Sequence, residues 1–398
     1  MADWVTRRLG DIATVFDGPH STPTKTDAGP WYLSISSLAS GHVDLGLSAH
    51  IGEDQYAAWT RRTAPQRGDT LFSYETRIGQ AALWNSDERA ALGRRMGLLR
   101  PKRDEVDPRF LSLAYLSAEF QELIRTKTVH GATVERILIA DMPNWPISIP
   151  PLDEQRRIAG ALGALDELIE VDRLEAERLV LLAQAVLSGG DAGSVLVSDV
   201  ATLSRGLSYK GSGLVSRDAA GCVPMVNLAN FTVRGWLNED GLKYYSESFK
   251  GQHILRSTDL LIANTDLTQR REILGRAALV QPSLVGAIHS HHTSVVRFPR
   301  EASLHLFLWA QSQGPEFRER AMGFATGTTV AALPKEAVLD FSIRLPSNPD
   351  QVAATADTLV RQAWSREEEV AELVRVRDEL LPLLMSGKVR VSEDLAAA

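Results

Sequence analysis

The 398-residue chain has a single cysteine, Cys222. That excludes a disulfide framework and a thiolate metal cluster, and it suits a reducing cytoplasm. No uninterrupted apolar run of about 18 residues occurs, so no membrane span is expected. The opening Met1-Ala2-Asp3-Trp4 lacks the basic flank and apolar core of a secretory leader. A cytoplasmic location is therefore the expectation. There is no Gly-x-x-x-x-Gly-Lys-Ser/Thr phosphate loop; Ser386-Gly387-Lys388 only follows a helix. No Gly-x-Gly-x-x-Gly follows a strand, and no Asn-Pro-Pro-aromatic or Asp-Pro-Pro-aromatic signature of an amino-methyltransferase is present. These absences argue against nucleotide hydrolysis, dinucleotide binding and methyl transfer by this chain, so it is expected to hold no cofactor and no metal. His289-Ser290-His291-His292 has no accompanying cysteine and reads as a polar loop rather than a metal site. Asp153-Glu154 and Asp166-Glu167 read as solvated helix surface rather than acid–base pairs. No catalytic centre emerges.

What is present is a repeat, with a period near half the chain. Leu9-Gly10-Asp11-Ile12-Ala13-Thr14-Val15, closing on Gly18, resembles Val197-Ser198-Asp199-Val200-Ala201-Thr202-Leu203, closing on Gly206. Gly68-Asp69-Thr70-Leu71-Phe72 answers Thr258-Asp259-Leu260-Leu261-Ile262, and Ile78-Gly79-Gln80-Ala81-Ala82-Leu83 answers Leu274-Gly275-Arg276-Ala277-Ala278-Leu279. Gly131-Ala132-Thr133-Val134 answers Gly327-Thr328-Thr329-Val330, Ile147-Ser148-Ile149-Pro150 answers Ile343-Arg344-Leu345-Pro346, and Leu187-Ser188-Gly189 answers Met385-Ser386-Gly387. Six matches in one order make two similar lobes the expectation.

Within each lobe, short apolar runs such as Trp31–Ile35, Thr70–Ser73 and Val223–Val226 predict strands. Phe110–Arg125 and Leu304–Met322 each predict one amphipathic helix. After Pro150 and Pro346 the pattern changes. Ile158, Leu162, Leu165, Ile169, Asp172, Ala176, Leu179, Ala183 and Val186 step by alternating four and three residues. Ala356, Leu359, Ala363, Arg366, Val370, Leu373, Arg377, Leu380 and Leu384 do the same. That spacing is the seam of a coiled coil, interrupted by a few polar residues. Pro382 should bend or loosen the last turn of the second helix. The segment between Gly189 and Val195 is too short for a parallel return, so the helices are expected to pair antiparallel and to hold the lobes apart in a pseudo-twofold relation. The fold class is α+β.

On its face the net charge of −7 argues against a nucleic-acid partner, but its distribution reverses that. Residues 1–150 carry −1 and residues 193–346 carry +3, whereas the helical segments 151–192 and 347–398 carry −5 and −4. The lobes can thus present basic faces. Their turns hold side chains suited to phosphates and base edges. In the first lobe these are Thr24 and Lys25 after Gly18, Tyr74 and Arg77 after a strand, the Arg94-Arg95 pair, and Thr133 in the repeated Gly-x-Thr turn. In the second they are Tyr209 and Lys210 after Gly206, then Asn264, Thr265, Arg270, Arg271 and His292, with Thr329 in the repeated turn. These clusters recur at equivalent places with different identities, as two readers of different sequences on one scaffold would. A protein-binding scaffold, and an enzyme of a DNA-processing system with an unrecognised site, remain open alternatives.

Ile149-Pro150-Pro151-Leu152-Asp153-Glu154-Gln155-Arg156-Arg157-Ile158, His130-Gly131-Ala132-Thr133 and Ala263-Asn264-Thr265-Asp266-Leu267-Thr268 resemble motifs of specificity subunits of Type I restriction–modification systems. The tandem organisation resembles them too. The second boundary, Leu345-Pro346-Ser347-Asn348-Pro349-Asp350-Gln351, departs by losing the Pro-Pro and the Glu. The resemblance implies target-recognition domains at 1–150 and 191–346, conserved spacer helices at 151–190 and 347–390, and a tail at 391–398. It further implies a bipartite double-stranded DNA site, two modification subunits binding S-adenosylmethionine, and an ATP-using motor-nuclease subunit. A specificity module of another phage-defence system is the related alternative.

Overall fold

The computed structural model describes residues 4–39, 41–129, 134–190, 192–232, 235–266, 268, 271–327 and 330–391. The chain divides into two compact units, Met1–Glu170 with Val370–Ala398, and Val171–Glu369. It is a mixed helix and sheet fold, and the division between units falls inside both long helices.

Each unit is built on a four-stranded antiparallel sheet of the same order. In the first it runs Ala13–Asp17, Met96–Pro101, Thr70–Ser73, Ala81–Leu83. In the second it runs Thr202–Arg205, Thr293–Arg297, Leu260–Ala263, Ala277–Leu279. A two-stranded ladder closes each unit: Val5–Arg8 on Pro146–Ile149, and Gly193–Leu196 on Ser342–Leu345. Thr70–Ser73 and Leu260–Ala263 are buried at every position, which is why they read as continuous apolar runs rather than alternating ones.

Two duplicated details explain motifs of the repeat. Asp69 is buried and accepts from both Arg100 Nε and Nη2, at 3.0 and 2.8 Å; Asp259 accepts from Arg297 in the same way, at 2.8 and 2.7 Å. Each arginine also donates to a carbonyl of the preceding segment, Ala64 or Ile254. Gly18 and Gly206 end the first strands where no side chain fits. A Cβ would lie 2.5 Å from the Met96 carbonyl oxygen in one unit and 2.3 Å from that of Ser290 in the other.

The two expected amphipathic helices are each broken. Pro108–Leu116 is capped by Asp107, whose carboxylate accepts from the Arg109 and Phe110 amides. Ser117 then takes an extended conformation and its hydroxyl accepts from Phe120 N, starting a second helix, Ala118–Lys127. In the other unit Gly314 is extended and Pro315 opens Pro315–Phe324 after Leu304–Ser312, using proline at the first helical position. A pattern of period 3.6 passes through such a break of one or two residues without showing it.

The long helices are Leu152–Ser188 and Pro349–Met385. All eighteen seam positions are buried or half-buried. In the first unit Ile158 and Leu162 share a core with Leu384 and Met385, beneath Phe72, Phe110, Tyr115 and Trp145. In the second, Val180, Ala183 and Leu187 share a core with Ala353, Ala356 and Val360, beneath Phe307, Trp309 and Ile343. Each such large apolar side chain contributes roughly 1.5–3 kcal/mol on burial. Within each unit, then, one end of a helix meets the opposite end of the other. The polar interruptions find each other: Arg377 lies 3.2 Å from Asp166, and Arg366 lies 3.0 Å from Glu175 and 3.9 Å from Asp172. Pro382 sits inside the last turn, and the helix runs on to Met385.

Two expectations of exposure are corrected. Glu154 is buried beside Arg157 instead of lying on a solvated face, because the start of its helix is packed into the first unit. His289 is fully buried in the short strand Ile288–His289, where Nδ1 meets Thr293 Oγ1 at 2.9 Å; only His291 and His292 are partly exposed.

Candidate nucleic-acid interface

Gly18 and Gly206 each stand at one end of a central sheet, and the sequence clusters converge on that end. In the first unit, Tyr74 follows its strand, its amide donates to the Arg95 carbonyl at 3.2 Å, and its carbonyl accepts from Ile137 N at 2.9 Å. In the second, Asn264 donates to the His292 carbonyl at 2.8 Å and accepts from Leu333 N at 2.7 Å. The next residue forms the same cross-link in both: Glu75 pairs with Arg95 at 3.0 Å, and Thr265 Oγ1 meets His292 Nδ1 at 2.9 Å. One main-chain corner thus carries Tyr74, Glu75 and Arg95 in one unit and Asn264, Thr265 and His292 in the other.

Among the described residues, Thr76, Arg95 and Arg271 are the non-glycine residues with left-handed backbone, at φ 71°, 70° and 51°. Arg95 and Arg271 belong to the clusters named from sequence, and Thr76 lies between Tyr74 and Arg77. Such conformations cost about 1–3 kcal/mol and gather at functional sites. Arg95 Nη1 donates to Thr76 Oγ1 at 3.0 Å, which joins two of them. Arg271 Nη2 donates to the Gly327 carbonyl at 3.2 Å, and its own carbonyl accepts from Arg318.

Tyr74 is buried; its hydroxyl lies 3.4 Å from His20 Nδ1, and His20 Nε2 lies 3.0 Å from Asp17. Burial, then the charges of Asp17 and Glu75, push the phenol well above its usual range. Arg77 is exposed and donates to the Ile35 carbonyl at 2.9 Å. Arg94 is exposed beside Tyr32. Thr24 and Lys25 are exposed but lie elsewhere: the Thr24 amide donates to Gln55 Oε1 at 3.1 Å, and Lys25 opens a strand of a different sheet, where it pairs with Ile51. In the second unit Tyr209 is half-buried and its hydroxyl accepts from Lys243 Nζ at 2.8 Å. The His291 and His292 rings stack at 4.0 Å. Burial, then the positive charges of His291, Lys243 and Arg205, hold His292 below the usual histidine value. Lys210 is exposed.

Asn264 requires a correction. It is buried, with Nδ2 donating to Ser294 Oγ at 2.8 Å, so it holds the corner together and does not project from a loop. Thr133, Arg270 and Thr329 lie outside the described residues. Arg205, Lys243 and Lys335 were missed by sequence reasoning. They come from three separated segments, and only Arg205 carried a signal, as the residue before Gly206.

Among the described residues no group of three or more His, Cys, Asp or Glu is placed to hold a metal, and no helix is long and apolar enough to cross a membrane.

Residues 1–179 match the family model of the Type I restriction modification DNA specificity domain. The chain is 29% identical over 177 residues to the type I restriction enzyme MjaX specificity subunit of Methanocaldococcus jannaschii, a match covering 42% of this chain and 40% of that protein. The MjaVIII specificity subunit of the same organism is 24% identical over 183 residues, covering 44% and 43%. Each match therefore spans about two-fifths of the curated relative. The fold of the whole chain resembles the S subunit of a Type I restriction–modification system from M. genitalium, with a TM-score of 0.58, 14% identity and 96% of each chain covered.

Proposed function

We propose that this chain is the non-catalytic specificity subunit of a Type I restriction–modification complex, each unit reading one half of a bipartite double-stranded DNA site. The observation that carries this reading is the duplicated corner: the same main-chain bonds hold Tyr74 and Asn264, while the side chains around them differ. A shared scaffold with exchanged side chains is what two readers of unlike half-sites need. Left-handed Thr76 and Arg95, joined to each other at the first corner, support it.

The long helices set the gap between half-sites. At about 1.5 Å per residue, 37 residues make a helix of roughly 55 Å. They also dock two modification subunits. Leu168, Val171, Leu174, Leu181 and Leu182 of the first helix are exposed despite being apolar, which supports a protein partner on that helix. Methylation of adenine, with S-adenosylmethionine, belongs to those subunits, and ATP-driven translocation and cleavage to a restriction subunit.

Sequencing of methylated sites in cells expressing the full complex tests the reading. Arg95→Ala should change or relax the half-site of the first unit only, and His292→Ala that of the second only, each base contact contributing about 1–3 kcal/mol of discrimination. Unchanged half-sites in both would overturn the assignment of these corners.

A further inference from the structure

Beside the second unit's corner lies a cavity of about 260 Å³ lined by Arg205, Asn264, Ser294 and Lys335, with Leu203, Leu333, Pro334 and Val338 as apolar walls. Among the described residues no carboxylate lines it. Asn264 and Ser294 are more than nine-tenths buried. Their mutual bond uses one Asn264 N–H and leaves the Ser294 hydroxyl proton free to donate. Arg205 and Lys335 are exposed and carry no ion pair or side-chain hydrogen bond among the described residues, in a protein where most arginines are paired. Donors on the floor and two unpaired cations among the lining residues describe a receptor for an anion, and a tetrahedral phosphate oxygen cluster matches that chemistry.

The first unit supplies an internal comparison. Strand register matches Arg205 with Asp17 and Ser294 with Gly97. The corner bonds match Asn264 with Tyr74 and Leu333 with Ile137, and two residues further on Lys335 with Ile139. There the cation is replaced by a carboxylate, already engaged by His20 and Arg62. The buried amide is replaced by a tyrosine, and the lysine by an isoleucine.

We infer that the Arg205–Asn264–Ser294–Lys335 cavity is a phosphate-binding site peculiar to the second unit, which seats a backbone phosphate of the DNA. The source of the phosphate rests on the DNA-reading function above; the anion chemistry does not. The test uses the full chain and the variant Arg205→Gln/Lys335→Gln, both positions being exposed and tolerant of the change. Thermal unfolding is followed in inorganic phosphate and in chloride at equal ionic strength, and affinity for a labelled duplex is followed against salt. The wild type should gain at least about 2 °C more from phosphate than the variant. The variant's plot of log affinity against log salt should be shallower by about one, and Arg205→Lys with Lys335 retained should recover most of both. A phosphate-specific gain with an unchanged salt slope would keep the anion site and overturn DNA as its source. Equal phosphate gains and equal slopes would overturn the site while leaving DNA reading intact. A wild type that binds no duplex yet is stabilised by phosphate would sink the specificity reading and not the site.

Discussion

Arg297 grips Asp259 through two parallel hydrogen bonds of 2.8 and 2.7 Å, with the carboxylate almost wholly shielded from water. The pair ties the last strand of the central sheet to the start of its neighbour. That contact holds the arginine above its ordinary range, first through the bond to Asp259. Removing one partner of a buried pair strands the other, so Asp259→Ala should lower stability by about 3–5 kcal/mol. Asp69→Ala should do the same through Arg100. Urea unfolding monitored by tryptophan fluorescence checks both; a loss below about 1 kcal/mol would mean that water replaces the aspartate.

The glycines that end the first strands should be intolerant for a different reason. Gly18→Ala and Gly206→Ala each push a methyl group against a main-chain carbonyl oxygen, that of Met96 or of Ser290. Overpacking of this kind costs about 1–3 kcal/mol, and the unfolding midpoint of each variant should fall accordingly.

Acid should weaken the second unit through His289. Burial, then the charges of His253 and Arg297, lower its pKa to about 3. The unfolded chain, with an ordinary histidine value near 6.5, binds the proton first as pH falls. Stability is therefore full above about pH 6.5 and declines between there and about pH 3, by up to about 1.4 kcal/mol per pH unit. Unfolding measured between pH 7 and pH 4 should show this slope in the wild type and a flatter one in His289→Gln.

Adding one heptad to each long helix keeps the seam in phase. The gap between methylated half-sites should change while both half-sites keep their sequence. A changed half-site sequence would separate the helices from any spacing role.

Much of this architecture was legible. The seam residues, the Asp69 and Asp259 motifs and the two turn glycines all declare themselves because each is fixed by a local rule of spacing or close approach. The helix breaks at Ser117 and Gly314 did not, since one capping residue interrupts a helix without disturbing its periodicity. The site was only partly readable. Asn264 looks like any polar residue after a strand, yet the segment carrying Leu333, 69 residues later, closes over it. Arg205, Lys243 and Lys335 come together only through strand register and chain crossings that no window of sequence contains.

The matched main-chain bonds at Tyr74 and Asn264 have an evolutionary corollary. Because the same main-chain bonds recur under different side chains, the corner keeps its shape while the side chains on it are exchanged. If each unit reads a half-site as proposed, new target preferences are within reach of single substitutions, and one unit can drift to a new recognition word while its twin keeps the old one.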